Sequence, residues 1–226
     1  MPRKELLAKV QSHKIVGVVR EDSMEAAEAV ADSYARNGIK IIEVTLTTPE
    51  AFDLMAALVA RYADQDITIA AGTVRSSNDA AAARRAGAEV IVSPHTDTRV
   101  IEYAVENDLL SIAGAGTATE IIRAWEAGTD VVKVFPALYF GGPDYIRTLR
   151  GPIRDVLLLA GGPVPLDSID PYLDAGCIAV NLGVSLAVPD LVRGKQWDEI
   201  GRRVILATSI IQSRKSAMPR DSSYVH

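Results

Sequence analysis

The sequence of 226 residues contains one cysteine, Cys177, and three histidines, His13, His95 and His226. A single thiol excludes an intramolecular disulfide framework and is typical of a reducing cytosol, so we expect a cytoplasmic protein. The histidines are isolated from one another, without a His-x-His pair or a compact carboxylate cluster. Pairs and clusters of that kind are what hold zinc and other transition metals in enzymes. The sequence therefore predicts chemistry without a metal or another cofactor.

Long apolar runs and an excess of basic residues are also missing. No stretch reaches the roughly eighteen apolar residues of a membrane span, and the amino terminus leads into an amphipathic stretch, unlike a signal peptide. With 24 basic and 29 acidic residues the net charge is −5. The chain therefore lacks the excess of positive charge that attracts the phosphates of nucleic acid. We expect no membrane and no nucleic-acid partner. A hydrophobic content of 48% and a charged content of 23% indicate an ordinary globular protein.

The sequence does contain a repeated β-α pattern. Short apolar runs are each followed by a stretch with helical spacing, as in 23–37, 49–62, 77–86 and 98–106. Several of these stretches end at a glycine suited to a helix terminus. Eight strands alternating with helices predict an α/β fold, a closed (β/α)8 TIM barrel, over a flavodoxin-like open sheet. The eight predicted strands cover 15–19, 39–44, 67–71, 89–93, 110–113, 131–135, 156–160 and 178–182.

An additional N-terminal helix is predicted over residues 3–12, where it would close the bottom of the barrel. No linker or low-complexity tract interrupts the sequence before about Ser213. We therefore predict a single domain over 1–213. The polar residues 214–226 are predicted to form a C-terminal tail at the surface.

Lys133 lies inside an apolar run, 131–136, that is typical of a strand buried on both faces. Burial disfavours a charged amine, and a neutral amine in a dry pocket attacks carbonyl groups and forms Schiff bases. The alternative interpretation is a buried ion pair in which Lys133 only neutralises a carboxylate.

Glu43 is the predicted partner of Lys133. Side chains alternate along a strand, so Lys133 shares a face with Val131 and Phe135, and Glu43 shares one with Ile41. If both faces point into the barrel, the carboxylate and the amine meet there. A carboxylate within hydrogen-bond reach can move the protons of an imine mechanism, although Glu43 could also be a structural counter-ion.

Glycines at the ends of two strands predict an anion site. Gly161 and Gly162 end the seventh strand, while Gly183 and Ser185 follow the eighth, where barrels frequently bind phosphate through backbone amides. Tight turns use glycines too, so a purely structural role stays open. Arg20 ends the first strand and offers a fork for a carboxylate or phosphate, unless it is only an exposed strand-end charge.

Five short motifs stand in a characteristic order, namely IEVTL at 42–46, AGTV at 71–74, VSP at 92–94, VKVFP at 132–136 and LAGG at 159–162. From about residue 14 to residue 189 the sequence resembles the 2-keto-3-deoxy-6-phosphogluconate (KDPG) aldolase family. That family includes 4-hydroxy-2-oxoglutarate (KHG) and 2-keto-3-deoxy-6-phosphogalactonate aldolases.

The resemblance implies a homotrimeric, metal-free class I aldolase that cleaves a phosphorylated keto acid to pyruvate and glyceraldehyde 3-phosphate, as in the Entner–Doudoroff pathway. It implies that Lys133 is the Schiff-base lysine and Glu43 the general acid/base. It also implies a pyruvate pocket shaped by Thr73, Pro94 and Phe135 and a phosphate held by Gly161, Gly162 and Ser185.

Several positions depart from the family pattern. Thr47 stands where some members have a carboxylate-binding arginine, while Arg20 matches the arginine that other members place after the first strand. Thr47 and Arg20 are therefore both predicted to bind substrate, with Arg20 as the clamp. Ala160, Pro163 and Val184 change the region of the phosphate and the distal hydroxyls, which leaves a non-phosphorylated substrate open.

Three classes of function fit these residues. A keto-acid aldolase of the phosphogluconate or phosphogalactonate type uses Lys133 as its nucleophile. In a sugar-phosphate isomerase or epimerase, Glu43 would move the proton and Lys133 would supply only charge. In a barrel without catalysis, the same cavity would only bind a ligand.

Overall fold

Eight parallel strands pair in sequence order and close into a barrel in the computed structural model, which describes residues 1–217. The closing pair joins the first and last strands, with Gly17 opposite Leu182. The predicted (β/α)8 fold is confirmed, and the open sheet is wrong. The strands are β1 (Ile15–Val19), β2 (Ile41–Thr45), β3 (Thr68–Gly72), β4 (Val90–Val92), β5 (Leu110–Ala115), β6 (Val131–Val134), β7 (Leu158–Ala160) and β8 (Cys177–Leu182).

Helices cover the outside of the barrel, and local signals fix many of their ends. Thr117 and Glu120 form a capping box at one helix start, and Gly38 and Gly87 adopt the positive φ that ends a helix before the next strand. Two 3-10 helices lie at Ala137–Phe140 and Leu166–Ser168. The α-helices are α1 (Arg3–His13), α2 (Met24–Arg36), α3 (Ala51–Arg61), α4 (Ser77–Arg85), α5 (Thr98–Glu106), α6 (Ala118–Glu126), α7 (Gly142–Arg150), α8 (Ile169–Asp174), α9 (Pro189–Arg193) and α10 (Trp197–Ala217).

The predicted helix before the first strand is present as α1 and covers the amino-terminal end of the barrel. Its Leu6 and Val10 pack into the inner hydrophobic cluster with residues near the strand starts, such as Ile41 and Val131. Lys9 Nζ lies 3.0 Å from Oγ1 of Thr68, the first residue of β3. The barrel is therefore closed at this end, and a ligand can enter from the carboxyl ends of the strands.

Residues 214–217, which the sequence assigns to the polar tail, instead belong to α10. Arg214 pairs with Asp170 at 2.9 Å and with Asp174 at 2.7 Å, and these contacts hold the last described turn against α8. Positions 218–226 of the predicted tail lie outside the described residues. Within the chain up to residue 217, no helix combines the length and the apolar character needed to cross a membrane.

Candidate active site

Lys133 and Glu43 meet inside the barrel, as the strand alternation predicts. Nζ of Lys133 lies 3.6 Å from Oε1 of Glu43. The lysine is 7% exposed and the glutamate 1%. A close pair of this kind in a region with little water combines an amine that can attack a carbonyl with a carboxylate that can move its protons.

Asn181 is a third polar side chain of this cluster, and the sequence reasoning missed it. Its Nδ2 donates a hydrogen bond of 2.7 Å to Oε2 of Glu43, on the oxygen that does not face Lys133. Its Oδ1 is buried without a hydrogen-bond partner among residues 1–217. Alternation along β8 places Asn181 on the same face as Gly183, and that signal could have identified it.

Two glycines make room for the buried pair. A Cβ on Gly161 would lie 2.6 Å from Cε of Lys133, and a Cβ on Gly72 would lie 2.2 Å from Oε1 of Glu43. Non-bonded atoms do not come this close to each other, so the neighbouring side chain would have to move. Any larger residue at either position would therefore push the amine or the carboxylate aside.

A cavity of about 540 Å³ opens above the pair at the carboxyl ends of the strands. Of the sequence-predicted residues, Lys133, Glu43, Arg20, Thr73, Pro94, Phe135, Gly162 and Gly183 line it. Thr47, Gly161 and Ser185 lie outside its wall, and His95 is exposed beyond it. The wall also contains Val18, Glu21, Pro163, Asn181, Val184, Ala187 and Pro189.

Arg20 is held in a fixed position at the cavity mouth. Its guanidinium donates hydrogen bonds to Oγ1 of Thr47 at 2.8 Å and to Oγ1 of Thr73 at 3.1 Å. Thr73 has a φ of 60°, a conformation that a β-branched residue rarely adopts. The strained backbone turns Thr73 towards both Arg20 and the cavity, and Thr47 contacts Arg20 instead of lining the wall.

Aromatic and cyclic side chains complete the deep end of the cavity. Nζ of Lys133 lies 5.5 Å from the centroid of the Phe135 ring. Pro94, which follows β4, lines the same cavity. These groups present apolar surface beside the amine, as a site for the short carbon chain of a keto acid requires.

Residues 1–217 contain no group of three or more His, Cys, Asp or Glu side chains placed to hold a metal ion.

A closed parallel barrel with a buried amine and carboxylate at the carboxyl ends of its strands defines an enzyme of the (β/α)8 class. The comparison with known proteins narrows this class. The family model for KDPG and KHG aldolase matches residues 6–203, so the chain belongs to that family of aldolases, which are carbon–carbon lyases.

Two curated relatives and one solved structure illustrate the family. The chain is 30% identical over 208 residues to the 2-dehydro-3-deoxy-phosphogluconate aldolase of Haemophilus influenzae, covering 92% of this chain and 97% of the relative. It is 33% identical over 171 residues to the 2-dehydro-3-deoxy-6-phosphogalactonate aldolase of Escherichia coli K12, covering 75% of this chain and 80% of the relative. A solved structure described as native KDPGal superposes with a TM-score of 0.80 at 28% identity, covering 90% of this chain and 96% of the other.

Proposed function

We propose that the chain is a class I aldolase that cleaves KDPG, or a related 2-keto-4-hydroxy acid such as 2-keto-3-deoxy-6-phosphogalactonate, to pyruvate and an aldehyde. The observation that carries this proposal is the 3.6 Å separation of Lys133 Nζ and Glu43 Oε1 at the buried end of the cavity. Membership of the KDPG and KHG aldolase family supports the same reaction class.

In the proposed reaction, the neutral amine of Lys133 adds to the C2 carbonyl of the keto acid, and loss of water gives a protonated imine. Glu43 then takes the proton of the C4 hydroxyl while the C3–C4 bond breaks and its electron pair moves towards the imine nitrogen. The aldehyde leaves, and the resulting enamine takes a proton at C3. Water finally hydrolyses the imine, which releases pyruvate and regenerates the amine. Glu43 suits the proton transfers because it lies within reach of Nζ.

Arg20 is proposed to bind the carboxylate of the keto acid, because its guanidinium is fixed at the cavity mouth by Thr47 and Thr73. Thr73, Pro94 and Phe135 are proposed to contact the pyruvate half of the substrate, since they line the cavity with Lys133.

The other end of the substrate is proposed to meet the loops after β7 and β8. Gly162 and Gly183 line the cavity there and present backbone amides. Gly161 is proposed to act through the space that it leaves for Lys133. Ser185 lies outside the wall, and its carbonyl accepts a 2.9 Å hydrogen bond from Arg203 Nε, so we propose that it supports the loop after β8.

Borohydride trapping tests the proposed imine. When the enzyme is incubated with pyruvate and reduced, we expect a stable adduct at Lys133 in the peptide map, because borohydride converts an imine to a secondary amine. Lys9 is an internal control, since it is also buried but lies at the opposite end of the barrel, bonded to Thr68 and Asp66.

Other outcomes of this experiment have definite meanings. A folded protein that gives no adduct at Lys133 would contradict the imine mechanism. It would favour an isomerase, in which Lys133 supplies only charge, or a barrel that binds without catalysis. An adduct at Lys9 as well as Lys133 would indicate unselective reaction of lysines.

We also propose that the enzyme is a cytoplasmic homotrimer and that, with KDPG as substrate, it acts in the Entner–Doudoroff pathway.

An apolar patch made of Leu138, Tyr139 and Phe140, all exposed in the 3-10 helix after β6, supports self-association. Sedimentation equilibrium is expected to give three times the 24.2 kDa mass of the chain, and Tyr139→Asp is expected to lower it. A wild-type mass of 24.2 kDa would contradict the trimer.

A further inference from the structure

Glu21 lies at the mouth of the cavity, beside the loop that follows β8. It comes shortly after β1, and β1 pairs with β8 where the barrel closes. The hydroxyl of Tyr34 joins the two strand ends, because it lies 3.3 Å from the carbonyl oxygen of Val18 and 3.4 Å from that of Gly183. Burial raises the pKa of Tyr34, and the nearby Glu21 carboxylate raises it further. Glu21 is therefore close to the loops after β7 and β8, where the resemblance to the aldolase family predicts a bound phosphate.

Glu21 brings negative charge to this region without a cation to balance it. In the described chain, no lysine or arginine forms a salt bridge with Glu21, and the neighbouring Arg20 is turned towards Thr47 and Thr73 at the ends of β2 and β3. Burial raises the pKa of Glu21 to about 7, and the adjacent Asp22 carboxylate adds to the shift. Glu21 is thus partly ionised at neutral pH, and its ionised fraction grows as the pH rises.

The other groups at this end of the cavity are poor partners for a dianion. Pro163 and Pro189 line it and have no backbone N–H to donate. Val184 is 51% exposed and presents an apolar branched side chain. The backbone amides of Gly162, Gly183 and Val184 remain as donors. A few backbone amides, one carboxyl group that can accept hydrogen bonds, and apolar surface suit hydroxyl groups, which both donate and accept hydrogen bonds.

We propose that the enzyme prefers 2-keto-3-deoxy acids whose far end is a neutral, hydroxylated chain over those that end in phosphate. This inference rests on the proposed aldolase function and specifies its substrate. A phosphate monoester carries a charge of about −1.5 to −2 at pH 7, and a like charge at short range in a partly buried site opposes its binding. A hydroxyl group can donate to Glu21 when the carboxylate is ionised and accept from it when it is protonated.

Two substrates that differ only in the terminal phosphate, 2-keto-3-deoxygluconate and its 6-phosphate, test the inference. We expect wild-type kcat/KM for pyruvate release to be at least about tenfold higher for the non-phosphorylated acid. Glu21→Gln should raise kcat/KM for the phosphorylated acid by about tenfold, since it removes a partly screened like charge. It should lower kcat/KM for the neutral acid, so the preference shrinks or reverses.

Asp22→Asn is the matched control. It removes the same formal charge one residue away, and Asp22 is exposed and outside the cavity wall. Because Asp22 helps to raise the pKa of Glu21, its removal should leave the preference for the neutral acid intact or strengthen it.

The pH dependence of the preference gives an independent readout. As the pH falls below about 7, Glu21 becomes increasingly protonated and repels phosphate less, so the wild-type preference should increase as the pH rises from 6 to 8. Glu21→Gln should show a flatter profile. The groups that face Glu21 are Asp22 on its own loop and Tyr34 on α2. Arg20, which is turned towards Thr47 and Thr73, lines the same cavity, as do Lys133 and Glu43.

The possible failures can be told apart. A wild-type preference for the 6-phosphate, or a preference for the neutral acid that Glu21→Gln leaves unchanged, would overturn this inference and leave the aldolase proposal standing. Absence of pyruvate from both acids, together with no adduct at Lys133, would overturn both.

Discussion

Lys133→Ala is expected to lower the rate of pyruvate release by about 10⁴-fold or more, because it removes the nucleophile of the proposed reaction. Among the described residues that line the cavity, Lys133 is the one lysine, so no neighbouring amine can take its place. The measurement is a coupled assay of pyruvate release with the variant and the wild type at equal concentrations. Reduction with borohydride in the presence of pyruvate should leave the variant without an adduct.

The stability of the variant needs its own control. Removing Lys133 leaves the buried carboxylate of Glu43 with the 2.7 Å hydrogen bond from Asn181 but without its cation. Loss of one partner of a buried pair costs about 3–5 kcal/mol, so circular dichroism must show that the variant is folded before its activity is measured. Lys133→Gln keeps most of the volume and a donor, and it should be equally inactive but more stable.

Lys9→Ala provides the comparison for loss of a buried lysine as such. Lys9 is 8% exposed and lies at the closed end of the barrel, so its removal should lower stability but retain the activity of the folded fraction. Pyruvate release by folded Lys133→Ala at a rate near that of the wild type would show that the imine mechanism is wrong.

Glu43→Gln is expected to reduce kcat by about 10²–10⁴-fold, the usual contribution of a positioned acid/base group. Glutamine has nearly the same shape and can accept the hydrogen bond from Asn181, so the packing around the site should change little. The variant should still form an adduct with pyruvate at Lys133, but more slowly. Steady-state kinetics and the time course of trapping measure the two effects separately.

Asn181→Ala distinguishes a catalytic Glu43 from a structural counter-ion. It removes the 2.7 Å hydrogen bond to Oε2 but leaves the carboxylate in place, so kcat should fall less than in Glu43→Gln and its pH profile should shift. If Glu43 only balances charge, both Asn181→Ala and Glu43→Gln would lower the melting temperature and leave kcat close to the wild-type value.

Much of this architecture follows from two regularities of the sequence. The repeated β-α pattern predicts all eight strands, and β1 has the predicted bounds, because buried parallel strands are short apolar runs between helix signals. The period of two along a strand predicts that Lys133 and Glu43 share the barrel interior, although they are 90 residues apart. The meeting of these two side chains could be anticipated because the barrel leaves few alternatives for inward-facing residues.

The parts that the sequence could not show depend on neighbours that are distant along the chain. Glu21 follows β1, while Gly183 and Val184, which line the same cavity, follow β8, and the two ends become adjacent only when the barrel closes. Gly161 was predicted to bind phosphate, but a glycine pair does not reveal whether it exposes an amide or leaves room for a side chain. The structure places Gly161 against Lys133.

The helix that covers the amino-terminal end of the barrel has a consequence for the sequence of events in a turnover. Because Leu6 and Val10 pack into the inner hydrophobic cluster and close that end, water and products travel through the opening at the other end. In the proposed reaction the pyruvate portion is attached to Lys133 at the deep end, and the aldehyde lies between it and the solvent. The aldehyde must therefore depart first, and its departure admits the water that frees pyruvate. Because the cavity has a single opening, the position of each product within it determines the order in which the products are released.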